Sequence, residues 1–297
     1  MLKSKCRQIA LSTSYTKMIL HRYFDKYGMN SIRHLEFKVS IPSEFNDPFE
    51  LLPVDTNKLT PHKIKTFLKD KKFQDNVYRI AKTEGKVKNK KEFKAKFSNK
   101  NLIVNHFLSD SYKDETWELF KSFKGASDEI SHFMCFSSEE ANDYDQILMW
   151  SHYGDKHKGI RIHFDPTKLR YSYFALEKIS YSETRPELDT SLNLKGEQFL
   201  SQVKNVLSTK SIAWQYEKEY RLFITPKYCH PKIINGQELR FVKIPIESII
   251  RIDLGLYFPN DIKSEMIQIV NNNLNHTEIF QADFHKEQYK LVYKKIN

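Results

Sequence analysis

The chain has 297 residues, 40% hydrophobic and 13% aromatic, which allows one large domain or two smaller ones with a sizeable core. Only 8 glycines argue against a glycine-based nucleotide fold, and no window reaches the roughly 18 apolar residues of a membrane span. The net charge of +11 is concentrated in residues 61–104, where fourteen Lys and Arg face four Asp and Glu.

Such a basic block suits a polyanion partner, RNA, DNA or an acidic protein, although a solvated lysine-rich helix pair is an equal explanation. It is almost free of arginine, the usual residue for specific phosphate recognition. Cys6, Cys135 and Cys229 are too widely spaced to suggest a disulfide framework or a zinc site. Met1 to Cys6 carries two lysines without the apolar core of a secretion signal. A soluble, cytoplasmic protein is expected.

In chain order, residues 14–28 mix aromatic and basic side chains, and Leu35–Ser40 alternates as a strand. Phe45-Asn46-Asp47-Pro48-Phe49-Glu50 then marks a structured turn. Thr60-Pro61 opens a helix whose Ile64, Phe67, Leu68, Val77, Ile80 and Ala81 recur at helical spacing. Residues 82–100 predict a loop and a second helix, and 110–123 an amphipathic helix with Trp117, Phe120 and Phe123 inward.

His132–Ser137 is expected to be a buried strand, and Asn142–Tyr153 a helix ended by Gly154 as a left-handed cap. Gly159–Asp165 alternates again. Further strands are predicted at 174–182, 216–224, 240–245, 249–255, 277–282 and 288–295, with helices near 194–208 and 260–273. This order predicts an α+β fold with a mixed or antiparallel sheet core. It forms a single catalytic-type domain, 1–297, holding a lysine-rich helical insertion at 58–130.

The densest stretch is Trp214-Gln-Tyr216-Glu217-Lys-Glu219-Tyr220-Arg221. Read as a strand, it puts Glu217, Glu219 and Arg221 on one side, the carboxylates about 7 Å apart. The Arg offsets their repulsion and holds one ionised. The row is either a solvated charge ladder or an active-site wall.

Four segments then stand together: Leu20-His21-Arg22-Tyr23, Phe45 to Glu50, Cys135-Phe-Ser137 with Met149 to Gly159, and Trp214 to Arg221. Each alone has a plain explanation in turn formation or core packing. Together they resemble a bacterial family catalogued as domain of unknown function 2971, over residues ~20 to ~295. The long lysine-rich stretch between the second and third segments is the chief departure.

The order of these segments is also similar to the layout of ADP-ribosyltransferases that act on nucleic acid. That likeness implies NAD as substrate, RNA or DNA as acceptor with RNA favoured, and a toxin or phage-defence effector restrained by an antitoxin or regulatory partner. It implies Glu219, with Glu217 as second choice, as the catalytic carboxylate, acting with Tyr23 and His152. His21, Arg22, Tyr23, Asn46, Trp150, Tyr153 and Arg221 would hold NAD: flat rings grip nicotinamide and Arg22 meets the pyrophosphate. Lys86, Lys88, Lys90, Lys91, Lys94 and Lys96 would hold the nucleic acid.

Two other readings stay open. A metal-independent ribonuclease could use His152, His21 and Glu219, while Asp47, Glu50, Glu217 and Glu219 could converge on a metal. A zinc site from His152 and His157 is not expected, because i, i+5 spacing puts them on different helix faces. A non-enzymatic basic adaptor would leave the Trp214–Arg221 segment purely structural.

Overall fold

The computed structural model describes residues 18–25, 28–56, 60–83, 85–109, 117–118, 121, 128, 131–169, 175–189 and 196–296. The chain divides into two units. One combines residues 1–48, 127–183 and 210–297, and the other residues 49–126 and 184–209. The fold is α+β, as the sequence predicts.

The first unit is built on an eight-stranded mixed, mostly antiparallel sheet. From edge to edge its strands are Leu291–Lys295, Glu278–Phe284, Ile249–Leu254, Ile160–Phe164, Leu20–Phe24, His132–Ser138, Glu219–Ile224 and Ala175–Lys178. One parallel pair, Ile249–Leu254 with Glu278–Phe284, is joined through the helix Asn260–Asn273. A three-stranded sheet, His230–Ile234, Gln237–Lys243 and Glu36–Val39, belongs to the same unit. Its hairpin turns at Asn235-Gly236, both with positive φ of 51° and 79°, as a two-residue turn between twisted strands requires.

Strand alternation decides where the core sits. Ile160, Ile162 and Phe164 point to one face and Arg161 and His163 to the other. Through the cross-strand register Leu20, Phe136, Ile252 and Leu254 join the first face. With Ile32, Phe37, Met266 and Val270 they form the main apolar core. His21, Tyr23, Ser137, Glu219, Arg221 and Asp253 share the opposite face, as the same registers require. A half-polar strand face ordinarily meets water, but here it is buried.

The helix Asp143–Tyr153 covers that polar face. It begins at Asn142, whose Oδ1 accepts from the Asp145 N–H at 3.0 Å while Asp145 Oδ2 accepts from the Asn142 N–H at 3.1 Å. It does not end in a left-handed glycine. Gly154 has φ −99°, and the left-handed residues are the next three, Asp155, Lys156 and His157. Glycine is needed at 154 for space: a Cβ there would lie 2.4 Å from Trp150 Cε3.

In the second unit the helices Pro61–Phe67, Lys71–Thr83, Lys90–Phe97 and Lys100–Phe107 carry the basic block. Ile64, Leu68 and Val104 form one small core and Leu188 with Val206 another. Lys86, Lys88, Lys90, Lys91, Lys94 and Lys96 are all exposed. Lys90 pairs with Asp75 and Lys96 with Glu92. Most of the helix predicted at 110–123 lies outside the described residues; Trp117, within it, is 36% exposed rather than inward.

Candidate active site

The first strand, Leu20–Phe24, pairs with Ile160–Phe164 along all five residues but with His132–Ser138 only at Leu20 and His21. Beyond His21 the ladder on that side stops. A cleft of about 270 Å³ is lined from both strands, by Arg22 and Tyr23 on one side and Cys135 and Phe136 on the other. Glu217, Glu219, Lys210 and Arg221 also line it, as do Tyr153 and Asn46.

The late segment reaches the cleft by a different backbone from the one its alternation predicts. Ile212–Glu217 is a 3-10 helix, Lys218 is left-handed with φ 45°, and the strand starts only at Glu219. Glu217 therefore arrives from a turn and Glu219 from a strand. They meet at Lys210, whose Nζ donates to Glu217 at 2.7 Å and to Glu219 at 3.4 Å. All three are under 8% exposed.

Arg221 clamps Glu219 through Nε at 2.9 Å and Nη2 at 3.0 Å. Burial pushes the Glu219 carboxyl up, but Arg221 and then Lys210 more than offset it, leaving it below the usual range. Burial also pushes Glu217 up; Lys210 opposes and Glu219 reinforces this, and the net direction is upward. Glu217 accepts from the Tyr153 hydroxyl at 2.6 Å, which in turn accepts from Asn46 Nδ2 at 2.9 Å. Asn46, Tyr153, Glu217, Lys210, Glu219 and Arg221 thus form one continuous hydrogen-bonded row.

Other groups lining the cleft are unsatisfied. His21 Nδ1, Arg22 Nη1 and Ser137 Oγ are buried with no hydrogen-bond partner among the described residues, and all three side chains belong to cleft-lining residues. Arg22 donates through Nη2 to the Lys38 carbonyl at 2.7 Å, and no carboxylate pairs with it among the described residues. Burial pulls its pKa down to about 10. A half-buried cation and orphaned polar atoms in one cleft point to a bound polar group.

Behind the cleft a second network fixes the first strand. Asp253, fully buried, accepts from Arg161 Nε and Nη2 at 2.9 and 2.6 Å, His163 Nε2 at 2.6 Å and Arg251 Nε at 2.6 Å. Arg161 donates on to the Tyr23 hydroxyl at 3.3 Å, and His163 meets the His21 ring edge-on at 4.5 Å. Burial lowers both imidazoles, His21 well below its usual value and His163 to about 4.

Of the residues the sequence nominates, His21, Arg22, Tyr23, Asn46, Tyr153, Glu217, Glu219 and Arg221 line the cleft. Trp150 and His152 do not. Trp150 is fully buried behind Tyr23, rings 5.2 Å apart, with Nε1 donating to the Tyr293 hydroxyl. His152 is exposed and bonded to the Tyr216 hydroxyl at 2.8 Å. The polar cleft residues that the sequence did not single out are Lys210, Ser137, Ser40 and Glu44, the last paired with Lys38, and behind them Arg161, His163 and Asp253. No group of three or more His, Cys, Asp or Glu side chains among the described residues could hold a metal ion.

A mixed sheet with a buried polar face, opened into a cleft beside its first strand, is the frame these residues define. Residues 149–222 match the family described as a protein of unknown function (DUF2971), the family that the four sequence segments resemble. That stretch takes in the end of the helix Asp143–Tyr153, the left-handed turn and the Glu217–Arg221 row. No curated protein and no solved structure matches the chain.

Proposed function

We propose that the cleft binds NAD and transfers its ADP-ribosyl group to a nucleic acid, RNA in the first instance. The supporting observation is one cleft lined both by a fixed acidic row, Glu217-Lys210-Glu219-Arg221, and by a half-buried Arg22 with no carboxylate partner among the described residues. In the transfer, the bond between the ribose C1′ and the nicotinamide nitrogen breaks and its electron pair leaves with neutral nicotinamide. The sugar passes through an oxocarbenium-like state that a fixed carboxylate stabilises. A nucleic-acid oxygen or nitrogen then bonds to C1′ and gives up its proton.

The two acids suit different parts of this step. Glu219, held ionised by Arg221 and Lys210, supplies fixed negative charge. Glu217, with its pKa raised mainly by burial, is the better proton acceptor. Tyr23 and Tyr153 flank the flat nicotinamide, and Arg22 meets the pyrophosphate. The cleft volume lies just under the range of about 300–1,000 Å³ usual for ligand pockets, a size for the nicotinamide end of NAD rather than all of it. The exposed lysines of the second unit would hold the acceptor's phosphates, giving a strong salt dependence. A toxin or defence effector kept in check by a partner protein is the biological role this chemistry suits.

Isothermal titration of the protein with NAD, and mass spectrometry of RNA after incubation with NAD, test the reading. A heat of binding and an added ADP-ribose are expected, with the product lost in Glu217→Gln and binding weakened in Arg22→Gln. Wild-type protein that gives neither heat nor product would sink it. The rival metal-independent ribonuclease loses His152, which does not line the cleft, and would rest on His21 and Glu219. RNA shortened without NAD would favour it.

A further inference from the structure

Three stretches of the first unit bring exposed aromatic rings and lysines together. Tyr257, Phe284 and Tyr289 are 56%, 61% and 87% exposed. The Tyr257 and Phe284 rings lie 6.5 Å apart at 67°, and Tyr257 meets the His157 ring edge-on at 6.3 Å. Backbone bonds fix the arrangement: the Tyr257 N–H donates to the His157 carbonyl at 2.9 Å, and the His285 N–H to the Lys290 carbonyl at 3.1 Å. His157 is held there by three successive left-handed residues, a strained conformation for side chains other than glycine.

Lys156 and Lys158 in the turn, and Lys286 and Lys290 in the hairpin, accompany these rings, and none forms an ion pair among the described residues. The acids beside these rings are Asp155, Asp283 and Glu287, and Asp283 is paired with Lys294, so positive charge prevails. The hairpin is tied to the cleft through the core. Leu291 and Tyr293, on the strand that follows the hairpin, pack against Tyr23, Met149 and Trp150, and Met149 with Tyr153 lines the cleft.

We infer that this surface grips single-stranded nucleic acid, with unstacked bases on Tyr257, Phe284 and Tyr289 and phosphates against the four lysines. Rings presented to solvent can stack only on base faces that a duplex keeps covered, and unpaired lysines supply the backbone charge. A single strand is therefore preferred over a duplex. The inference rests on the reading of a nucleic-acid acceptor and assigns its strandedness and its docking residues, but binding itself needs no NAD.

Fluorescence anisotropy with a labelled single-stranded RNA of mixed sequence, on the full chain without NAD, tests it. The Tyr257→Ala/Phe284→Ala variant is expected to bind at least about ten-fold more weakly with an unchanged melting temperature. Lys286→Gln/Lys290→Gln should lower the slope of log affinity against log salt by about 0.7 per lysine. Ring variants that bind like wild type overturn the inference. So does a wild-type protein that binds duplex RNA or anionic phosphatidylserine vesicles more tightly than the single strand. Loss of RNA binding in the ring variants alongside no NAD heat would refute only the transferase; NAD turnover with unaltered RNA binding would refute only this surface.

Discussion

Lys210 allows two carboxylates to sit under the protein surface within reach of one another. Glu217 and Glu219 each donate a negative charge to a place where water cannot screen it, and one ammonium bridges both. With Arg221 the four side chains sum to zero charge, so the cluster costs no net buried charge. Removing the bridge exposes the repulsion. Lys210→Met is expected to lose about 3–5 kcal/mol in urea unfolding, the usual cost of stranding a buried partner. Adding Glu217→Gln should recover part of that loss, giving a coupling that a double-mutant cycle measures. The acids were legible because they lie together in Trp214–Arg221. Lys210 was not: nothing in Thr209-Lys210-Ser211 distinguishes it from a surface lysine until the 3-10 turn folds it back onto Glu217.

Among the elements, the capped helix Asp143–Tyr153 shows how far local chemistry reaches. Its start is written in Asn142 and Asp145, which cap one another, and its period is plain. Its end is not, because Gly154 was required by contact with the Trp150 ring, and only packing reveals that. Gly154→Ala should therefore cost about 1–3 kcal/mol, the range for overpacking, and shift the fluorescence of the buried Trp150. The next turn holds strain that glycine would relieve. Lys156 has φ 53°, where a residue with a Cβ is disfavoured by roughly 1–2 kcal/mol, so Lys156→Gly should raise the melting temperature. A lower melting temperature would mean that the left-handed turn is not strained. The late strand illustrates the opposite case. Alternation across 214–221 mimics a strand so well that the 3-10 helix and the left-handed Lys218 are invisible to it.

Across the whole sheet, acid should be the weak point. His163 titrates at about 4 in the folded chain against about 6.5 unfolded, and His21 is also lowered, both chiefly by burial. Below pH 6.5 the unfolded chain takes up protons that the folded chain refuses. Stability is thus intact above that pH and falls as pH drops toward 4. For His163 alone the loss is on the order of 3 kcal/mol, and Asp253, held below the ordinary carboxylate range, extends it at lower pH. Thermal melts from pH 7.5 to 4 should show the decline, and His163→Gln should flatten it. A wild-type melting temperature that holds steady between pH 6.5 and 4.5 would contradict the buried neutral imidazoles.

The amino-acid order by itself determined the α+β class, most strands and helices, the basic block and the segments that supply the cleft, because period, capping and charge density are local properties of a chain. Tertiary structure alone decided that the polar side of the central strands is covered rather than wet. Alternation says which side chains share a face, but only the docking of the helix Asp143–Tyr153 says whether that face meets water. The same burial selects Lys210 and Asp253 and fixes the charge of the acids, while Arg22 lines the cleft with no carboxylate partner among the described residues.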